Sequence, residues 1–234
     1  NPVIIQPLAV ERVDVATPQS QVTIFLNMMP YFIILVVFVG GMYVVIDATA
    51  GERERGSLEP LLINPLTRAE FVLGKLLASL PFALFAVGIT LLAFYASFNF
   101  FPIEDYIGMQ LTLNPWALLQ IFLLSLPMVV LASGLQMVIA TFTRSFKEAQ
   151  TYVSFLPLIP AIPGIGLAFL PIKPSITTML IPTFGQQILI NQLMRSEPIA
   201  TSNMVISTLV TLVLSTVFIF AAIKFYENEK IVIG

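Results

Sequence analysis

Five long apolar runs dominate this chain, and they constrain its fold more than any other feature of the sequence. A transmembrane α-helix needs about 20 apolar residues, and each run is close to that length. Only helices and closed barrels satisfy all backbone polar groups inside hydrocarbon. We therefore predict an all-α, polytopic transmembrane helical bundle. The five predicted spanning helices cover residues 25–46, 76–98, 116–142, 152–170 and 205–225.

Composition supports a membrane protein and excludes several classes of site. Of the 234 residues, 57% are hydrophobic and 10% are charged, whereas soluble domains carry about 25% charged residues. The sequence has no cysteine and no histidine, so it lacks thiolate ligands and the commonest metal ligand and general base. We predict no catalytic residue, no metal site and no bound cofactor. No basic arm indicates nucleic acid.

The distribution of basic residues predicts the orientation of the spans. Cytoplasmic loops carry the excess of lysine and arginine. With five spans, one side receives most of the 11 basic residues, which predicts a plasma-membrane protein with its N-terminus outside and its C-terminus in the cytoplasm. The predicted cytoplasmic residues are Arg53, Arg55, Arg68, Lys75, Arg144, Lys147, Lys224 and Lys230, and the outer ones are Arg12, Lys173 and Arg195.

The segments outside the spans suggest how the chain is organised. Residues 1–22 are predicted to be the end of an extracellular domain or a linker, and residues 23–234 the transmembrane domain. Because the chain begins at Asn1, we expect a C-terminal fragment. Residues 171–203 hold two short apolar pieces, 176–181 and 186–194, which predict a re-entrant pair of helices or a surface loop with one amphipathic helix.

Prolines interrupt the fourth predicted span. Pro157, Pro160 and Pro163 follow one another at three-residue spacing. Proline removes a backbone donor and kinks helices. We therefore expect this span to be broken or bent, either as a packing helix or as a moving gate.

A dense island of charge, residues 47–75, separates the first two spans and must lie at a membrane surface. Ser57 is a candidate cap for a short helix that tolerates Pro60 in its first turn, and 67–70 reads as a capping box. The result is an interfacial elbow whose apolar face holds Leu58, Leu61 and Leu62. The preceding charges, Glu52, Arg53, Glu54 and Arg55, are predicted to face water. The elbow is either a solvated interfacial helix or a coupling element for a cytoplasmic partner.

The residues of this island carry a resemblance to a known family. Gly51-Glu-Arg-Glu-Arg-Gly-Ser-Leu-Glu-Pro-Leu-Leu62, then Asn-Pro-Leu-Thr-Arg68, then Leu-Gly-Lys75, resembles the first cytoplasmic loop of type-2 ABC exporter permeases. The tail from Tyr226 to Gly234 is similar to that of the sodium-efflux, NatB-type branch. The resemblance implies coupling contacts at Glu52, Arg53, Glu54, Arg55, Ser57, Leu58, Glu59, Leu61, Leu62 and Arg68.

The resemblance also implies partners. They are a cytoplasmic ABC ATPase subunit, a second permease copy or a related permease, and membrane lipid. The chain has no phosphate-binding loop, because Gly74-Lys75 is followed by Leu76 and position 69 is alanine. ATP and Mg²⁺ would therefore lie on the partner ATPase, and this chain would be a transporter subunit rather than an enzyme.

The substrate is the least constrained part of the sequence. The tail favours sodium, but the predicted span interiors hold no aspartate or glutamate, which a dehydrated cation path usually contains. An amphipathic or drug-like substrate, an ABC-like membrane anchor without transport, and a secondary transporter remain open. Candidate path residues are Thr90, Ser133, Gln136 and Thr211.

Overall fold

The computed structural model describes residues 18–57, 60, 65–100, 113–170 and 172–228. Within these ranges every regular element is helical, which confirms the predicted all-α class. Five helical segments are long and apolar enough to cross a membrane, as predicted. They are Leu26–Glu54, Arg68–Phe100, Pro115–Phe142, Phe146–Leu167 and Thr201–Glu227.

The first segment is longer than predicted at both ends. Helix α1 runs from Pro18 to Val39, so residues 18–22 are helical and continuous with the span, whereas 1–17 lie outside the described residues. After Gly40 and Gly41, α2 covers Met42–Ile46. A π-helical turn, Asp47–Gly51, and α3, Glu52–Glu54, continue the rod. The predicted end at residue 46 is therefore wrong, because the first charges of the island lie on this helix.

Close packing explains why the helix breaks at two glycines. A Cβ on Gly40 would lie 2.8 Å from the Ala86 Cβ and 3.1 Å from the Ala83 Cα. Helix α4, Arg68–Phe100, therefore approaches the break more closely than any side chain there would allow. The break exposes backbone carbonyls that need donors from elsewhere.

Three further spans are each a single long helix. Helix α4 begins with the predicted capping box: Glu70 Oε2 accepts from the Thr67 N–H at 2.8 Å, and Thr67 Oγ1 accepts from the Glu70 N–H at 3.2 Å. Helix α5, Pro115–Phe142, starts after Asn114, whose side chain accepts from the Trp116 N–H. Helix α10, Thr201–Glu227, packs along α5.

The fourth segment is broken, as its prolines predict. Helix α6 covers Phe146–Val153, turns occupy 154–157, and α7 covers Leu158–Phe169 with Pro163 inside it. Helix α7 packs mainly against α1. The break in the fourth segment is the turn at 154–157, which lies before Pro160 and Pro163.

Residues 171–203 contain the two predicted short helices. Helix α8 covers Ile176–Met179, and α9 covers Phe184–Met194. Nine of the eleven α9 residues are buried, and a Cβ on Gly185 would lie 2.7 Å from Ser207 Oγ. Burial of this kind argues against a plain surface loop, and entry into the outer leaflet stays a prediction.

Candidate functional site

The helix ends that carry the charged island meet at one end of the bundle, which we call the basic end. It is formed by α3, the start of α4, the end of α5, α6 and the end of α10. Contacts between these elements join residues far apart in sequence, as the following paragraphs describe. The described basic residues on these elements are Arg53, Arg55, Arg68, Lys75, Arg144, Lys147 and Lys224, and Lys230 lies outside the described residues.

A buried ion pair joins the first two spans at the basic end. Lys75 Nζ lies 2.5 Å from Glu52 Oε2, and their side chains are 8% and 20% exposed. The same ammonium donates to the Ala48 carbonyl and lies 4.1 Å from the centre of the Phe71 ring. The ring of Tyr226, from α10, covers the ammonium from another side, with 5.5 Å between Lys75 Nζ and the ring centre. Glu52 was predicted to face water, and that prediction is wrong because its carboxylate neutralises a buried lysine.

Arg53 is also turned into the bundle rather than into water. It is half-buried, and its Nη1 donates to the Thr143 carbonyl at 2.7 Å. Thr143 is the C-cap of α5, so the guanidinium satisfies a carbonyl at the negative end of that helix. The prediction that Arg53 is solvated is therefore wrong.

Glu54 and Arg55 are exposed, as predicted, but both have partners. Glu54 Oε2 accepts from the Phe146 N–H at 2.7 Å, at the first residue of α6. Arg55 Nη1 lies 2.7 Å from Asp47 Oδ1, and that hydrogen bond raises the pKa of Arg55. Two consecutive residues of α3 therefore contact two different helices: Arg53 contacts the end of α5 and Glu54 contacts the start of α6.

A Schellman motif ends the first rod at Gly56 and Ser57. Gly56 has φ +68° and its N–H donates to the Arg53 carbonyl, while the Ser57 N–H donates to the Glu52 carbonyl. Ser57 Oγ donates to the same Glu52 carbonyl at 3.1 Å. Ser57 thus closes the preceding helix, and its predicted role as a cap of the next helix concerns residues outside the described ranges. The predicted elbow residues Leu58, Glu59, Leu61 and Leu62 lie outside the described residues.

The π-helical turn sets the direction of these side chains. Such turns insert one extra residue and are frequent at functional sites. Asp47 and Arg55 pair across Gly51, where an added Cβ would lie 2.8 Å from Asp47 Oδ1. Thr49 Oγ1 donates to the Val45 carbonyl at 2.5 Å, inside the turn.

Together these contacts join α3 to three other helices, and we call this set of contacts the brace. Glu52, Arg53 and Glu54 are consecutive on one helix and contact α4, the α5 terminus and α6 respectively. The remaining predicted contact residue, Arg68, is half-buried at the start of α4. Arg144 and Lys147 are exposed beside this brace. A partner that moves the loop before α6 would therefore act on three spans.

The four predicted path residues do not share a hydrogen-bonded cluster in the described contacts. Gln136 Nε2 donates to the Phe38 carbonyl at 2.5 Å and so satisfies the α1 break. Thr211 Oγ1 donates to Gln186 Oε1 at 3.2 Å, and Thr90 Oγ1 donates to Ala86 within its own helix. Ser133 is buried. Gln136 and Thr211 therefore hold helices together, as interhelical polar groups commonly do.

The sequence reasoning missed two sets of polar residues. The sequence placed Lys75 in a family motif but did not predict that it is buried. Its burial depends on contacts with Glu52 and Tyr226, which are distant from it in sequence. At the opposite end, Arg195 donates to Asn27 across 168 positions. Helix α9 also places Gln186 and Gln187 in the core. The signal in the sequence that could have indicated these buried amides is the adjacent pair Gln186-Gln187 within an apolar stretch.

The bundle and its braced basic end define a polytopic helical membrane protein. Its sequence matches the family of ABC-2 family transporter proteins over residues 6–229. The chain therefore belongs to the ABC-2 family and is a permease-type membrane subunit.

A curated relative supports this assignment at lower similarity. The chain is 26% identical over 194 residues to the protein named ABC transporter permease protein NatB of Bacillus subtilis (strain 168). The alignment covers 82% of this chain and 50% of the relative, so the chain spans about half the length of the curated relative it matches. No solved structure gives a significant match.

Proposed function

We propose that this chain forms the substrate path of an ATP-driven exporter in the plasma membrane, coupled to a separate cytoplasmic ATPase that holds ATP and Mg²⁺. The observation that carries the proposal is the brace at the basic end. Glu52, Arg53 and Glu54 link α3 to three other helices. A rigid link of this kind is what a motor needs in order to move several spans together.

The proposed arrangement follows the positive-inside rule. The basic end faces the cytoplasm, the start of α1 faces outward, and the C-terminus is cytoplasmic. Two copies, or this chain with a related permease, would enclose the path within the lipid bilayer. The ATPase would dock on exposed groups of the basic end, including Arg144 and Lys147, and on the elbow that the sequence predicts after Ser57.

Charge reversal on exposed residues tests the docking step. Arg144→Glu with Lys147→Glu should reduce co-purification of the ATPase, because apposed like charges at an interface cost several kcal/mol. These side chains are exposed, so the fold should survive. The matched control is Lys173→Glu, an exposed cation at the opposite end.

Charge reversal within the island itself, by Glu54→Lys with Glu59→Lys, would be a less specific test of docking. Glu54 accepts from the start of α6, so its reversal changes the permease itself. Unaltered ATPase binding and unaltered transport in the Arg144 and Lys147 variant would reject docking at this surface.

Sodium is one candidate cargo, supported by the likeness of the tail to the sodium-efflux branch. A sodium path would use hydroxyl and carbonyl oxygens, which hard cations accept. ATP-driven sodium flux into vesicles holding the full-length permease and its ATPase tests it. Thr211→Val is a better variant than Gln136→Leu, because Gln136 satisfies the helix break. Stimulation of the ATPase by an amphipathic compound, without sodium flux, would indicate an amphipathic or drug-like substrate instead. Binding of the ATPase with transport of neither sodium nor an amphipathic compound would indicate a membrane anchor.

A further inference from the structure

A cavity of about 420 Å³ opens at the outer end of the bundle, between α1, α7 and α9. We call it the outer cavity. Leu167, Leu170 and Ile188 supply apolar walls, and Asn27, Asn191 and Arg195 supply polar groups. Ligand sites commonly have this size, with mainly apolar walls and a few convergent polar groups.

Arg195 is the central polar group of the outer cavity. Its Nη2 donates to Asn27 Oδ1 at 2.5 Å, and Asn191 Nδ2 donates to the same oxygen at 3.0 Å. Glu197 lies 3.6 Å from Nη1, a loose ion pair, and the Arg195 side chain is 30% exposed. Asn27 therefore fixes one edge of the guanidinium, and the loose contact with Glu197 offsets only part of its charge.

Two buried polar atoms in the outer cavity lack hydrogen-bond partners within the part of the chain that the structure describes. They are Arg195 Nε and Gln192 Oε1. Buried polar groups are normally satisfied, and a charged donor without a partner is especially unfavourable. The Nε–H and the neighbouring Nη–H form the planar fork that binds carboxylates and phosphates in a bidentate manner.

We propose that the outer cavity binds the acidic headgroup of an amphiphile. Arg195 would hold a phosphate or carboxylate oxygen through Nε, and a headgroup hydroxyl would donate to Gln192 Oε1. The apolar part would lie along Leu167, Leu170 and Ile188. This inference rests on the proposed export function and deepens it by naming an acidic, amphipathic substrate class.

The walls and charges of the outer cavity distinguish this ligand from two others. A free anion would leave the apolar walls in contact with water, which is unfavourable. The cavity is lined by two cationic side chains, Arg195 and Lys173, and by one carboxylate, Glu197, so a sodium ion would meet a net positive charge. An amphiphile with a negative headgroup satisfies both surfaces.

Thermal unfolding of the full-length permease in maltoside micelles tests the inference. Dodecyl phosphate is the probe, with dodecyltrimethylammonium as the cationic match and inorganic phosphate as the free anion. We expect dodecyl phosphate to raise the unfolding midpoint and the other two to leave it unchanged. A shift with inorganic phosphate alone indicates a free-anion site, and an equal shift with the cationic amphiphile indicates nonspecific insertion; either overturns the inference.

Variants assign the response to named residues. Arg195→Lys keeps the charge but loses the fork, and it should weaken the dodecyl phosphate response by roughly tenfold, as expected for a lost charge-assisted hydrogen bond. Lys173→Glu changes an exposed residue, so it should fold and also weaken the response. Lys224→Glu, at the basic end, is the matched control. An unchanged response in Lys173→Glu and in folded Arg195→Lys rejects the site.

The assay also separates this inference from the proposed function. It uses the permease without ATP, while ATPase co-purification is measured on the same preparations. Retained ATPase binding with no dodecyl phosphate response rejects the headgroup site alone. Loss of ATPase binding in the wild type counts against the export function and leaves the binding result to be judged separately.

Discussion

Glu52 and Lys75 hold the first and second spans together at the basic end, with 2.5 Å between the carboxylate and the ammonium. The pair is 23 positions apart in sequence, and the residues between them include the elbow. The pair therefore brings the two ends of the segment 52–75 into direct contact. Separation of the first two spans at the basic end must break this pair.

The first prediction concerns the stability of that contact. Lys75→Met should destabilise the protein by about 3–5 kcal/mol, because the remaining Glu52 carboxylate would be buried without a counter-ion. Adding Glu52→Gln should recover part of the loss. Thermal unfolding in detergent measures both. Lys224→Met, which removes the exposed pair with Glu227, is the control and should have little effect; an equal loss in the control would contradict the prediction.

The second prediction concerns the start of α6. Glu54→Lys removes the acceptor for the Phe146 N–H, so the first turn of α6 should exchange its amide hydrogens faster. Glu54→Gln keeps an acceptor oxygen and should exchange more slowly than the lysine variant. Hydrogen–deuterium exchange of peptides covering 146–149 gives the comparison. Equal exchange in wild type and Glu54→Lys would show that the bond does not hold the helix.

The third prediction compares two glycines. Gly40→Ala should cost about 1–3 kcal/mol, since its Cβ would collide with Ala86 and with the backbone at Ala83. Gly74→Ala meets nothing within 4 Å and should gain up to about 1 kcal/mol from helix propensity. The measurement is the thermal unfolding midpoint, which should fall in Gly40→Ala and stay the same or rise in Gly74→Ala. Equal midpoints in the two variants would contradict the close approach of α1 and α4.

The fourth prediction concerns Gln136. Replacing it with leucine leaves the Phe38 carbonyl without its donor, so we expect a loss of about 1–3 kcal/mol. Ser133→Ala on the same helix is the comparison and should cost less. The measurement is again thermal unfolding. A stable Gln136→Leu protein with altered transport would instead return Gln136 to the substrate path.

The fifth prediction concerns orientation. The sequence contains no cysteine, so single cysteines report cleanly. An impermeant thiol reagent applied to intact cells should label cysteines at Ser20 and Ser202 but not at Ser57 or Lys147. Lys147 is chosen because it is exposed, whereas the neighbouring Ser145 is the N-cap of α6. Labelling at Ser57 would reverse the assigned orientation, and a permeabilised sample shows that all four sites react.

Local signals predicted the elements whose physics is local. The apolar runs gave all five segments because length and hydropathy decide spanning. The capping box at Thr67 and Glu70 was found because its two hydrogen bonds involve residues three apart. Pro157, Pro160 and Pro163 indicated a break for the same reason.

Long-range contacts decided what sequence reasoning could not. Glu52 and Arg53 looked solvated because charges in a loop usually are, yet Lys75 and Thr143 draw them inward. Gln136 looked like a path residue because its partner is a backbone carbonyl 98 positions away. The spacing of residues along the sequence does not predict that the helix break after Val39 leaves the Phe38 carbonyl in need of a donor from another helix.

The π-helical turn at Asp47–Gly51 absorbs one additional residue at the basic end. A π turn holds one residue more than an α turn, and each α-helical residue rotates the helix by about 100°. Deleting one residue within Asp47–Gly51 would therefore restore α-helical winding and leave Glu52, Arg53 and Glu54 close to their present direction. Deleting one residue from Met42–Ile46, which is already α-helical, would instead turn the same three side chains by about 100°, away from their partners. The two deletions therefore differ in their effect on the brace although they shorten the same rod by the same amount.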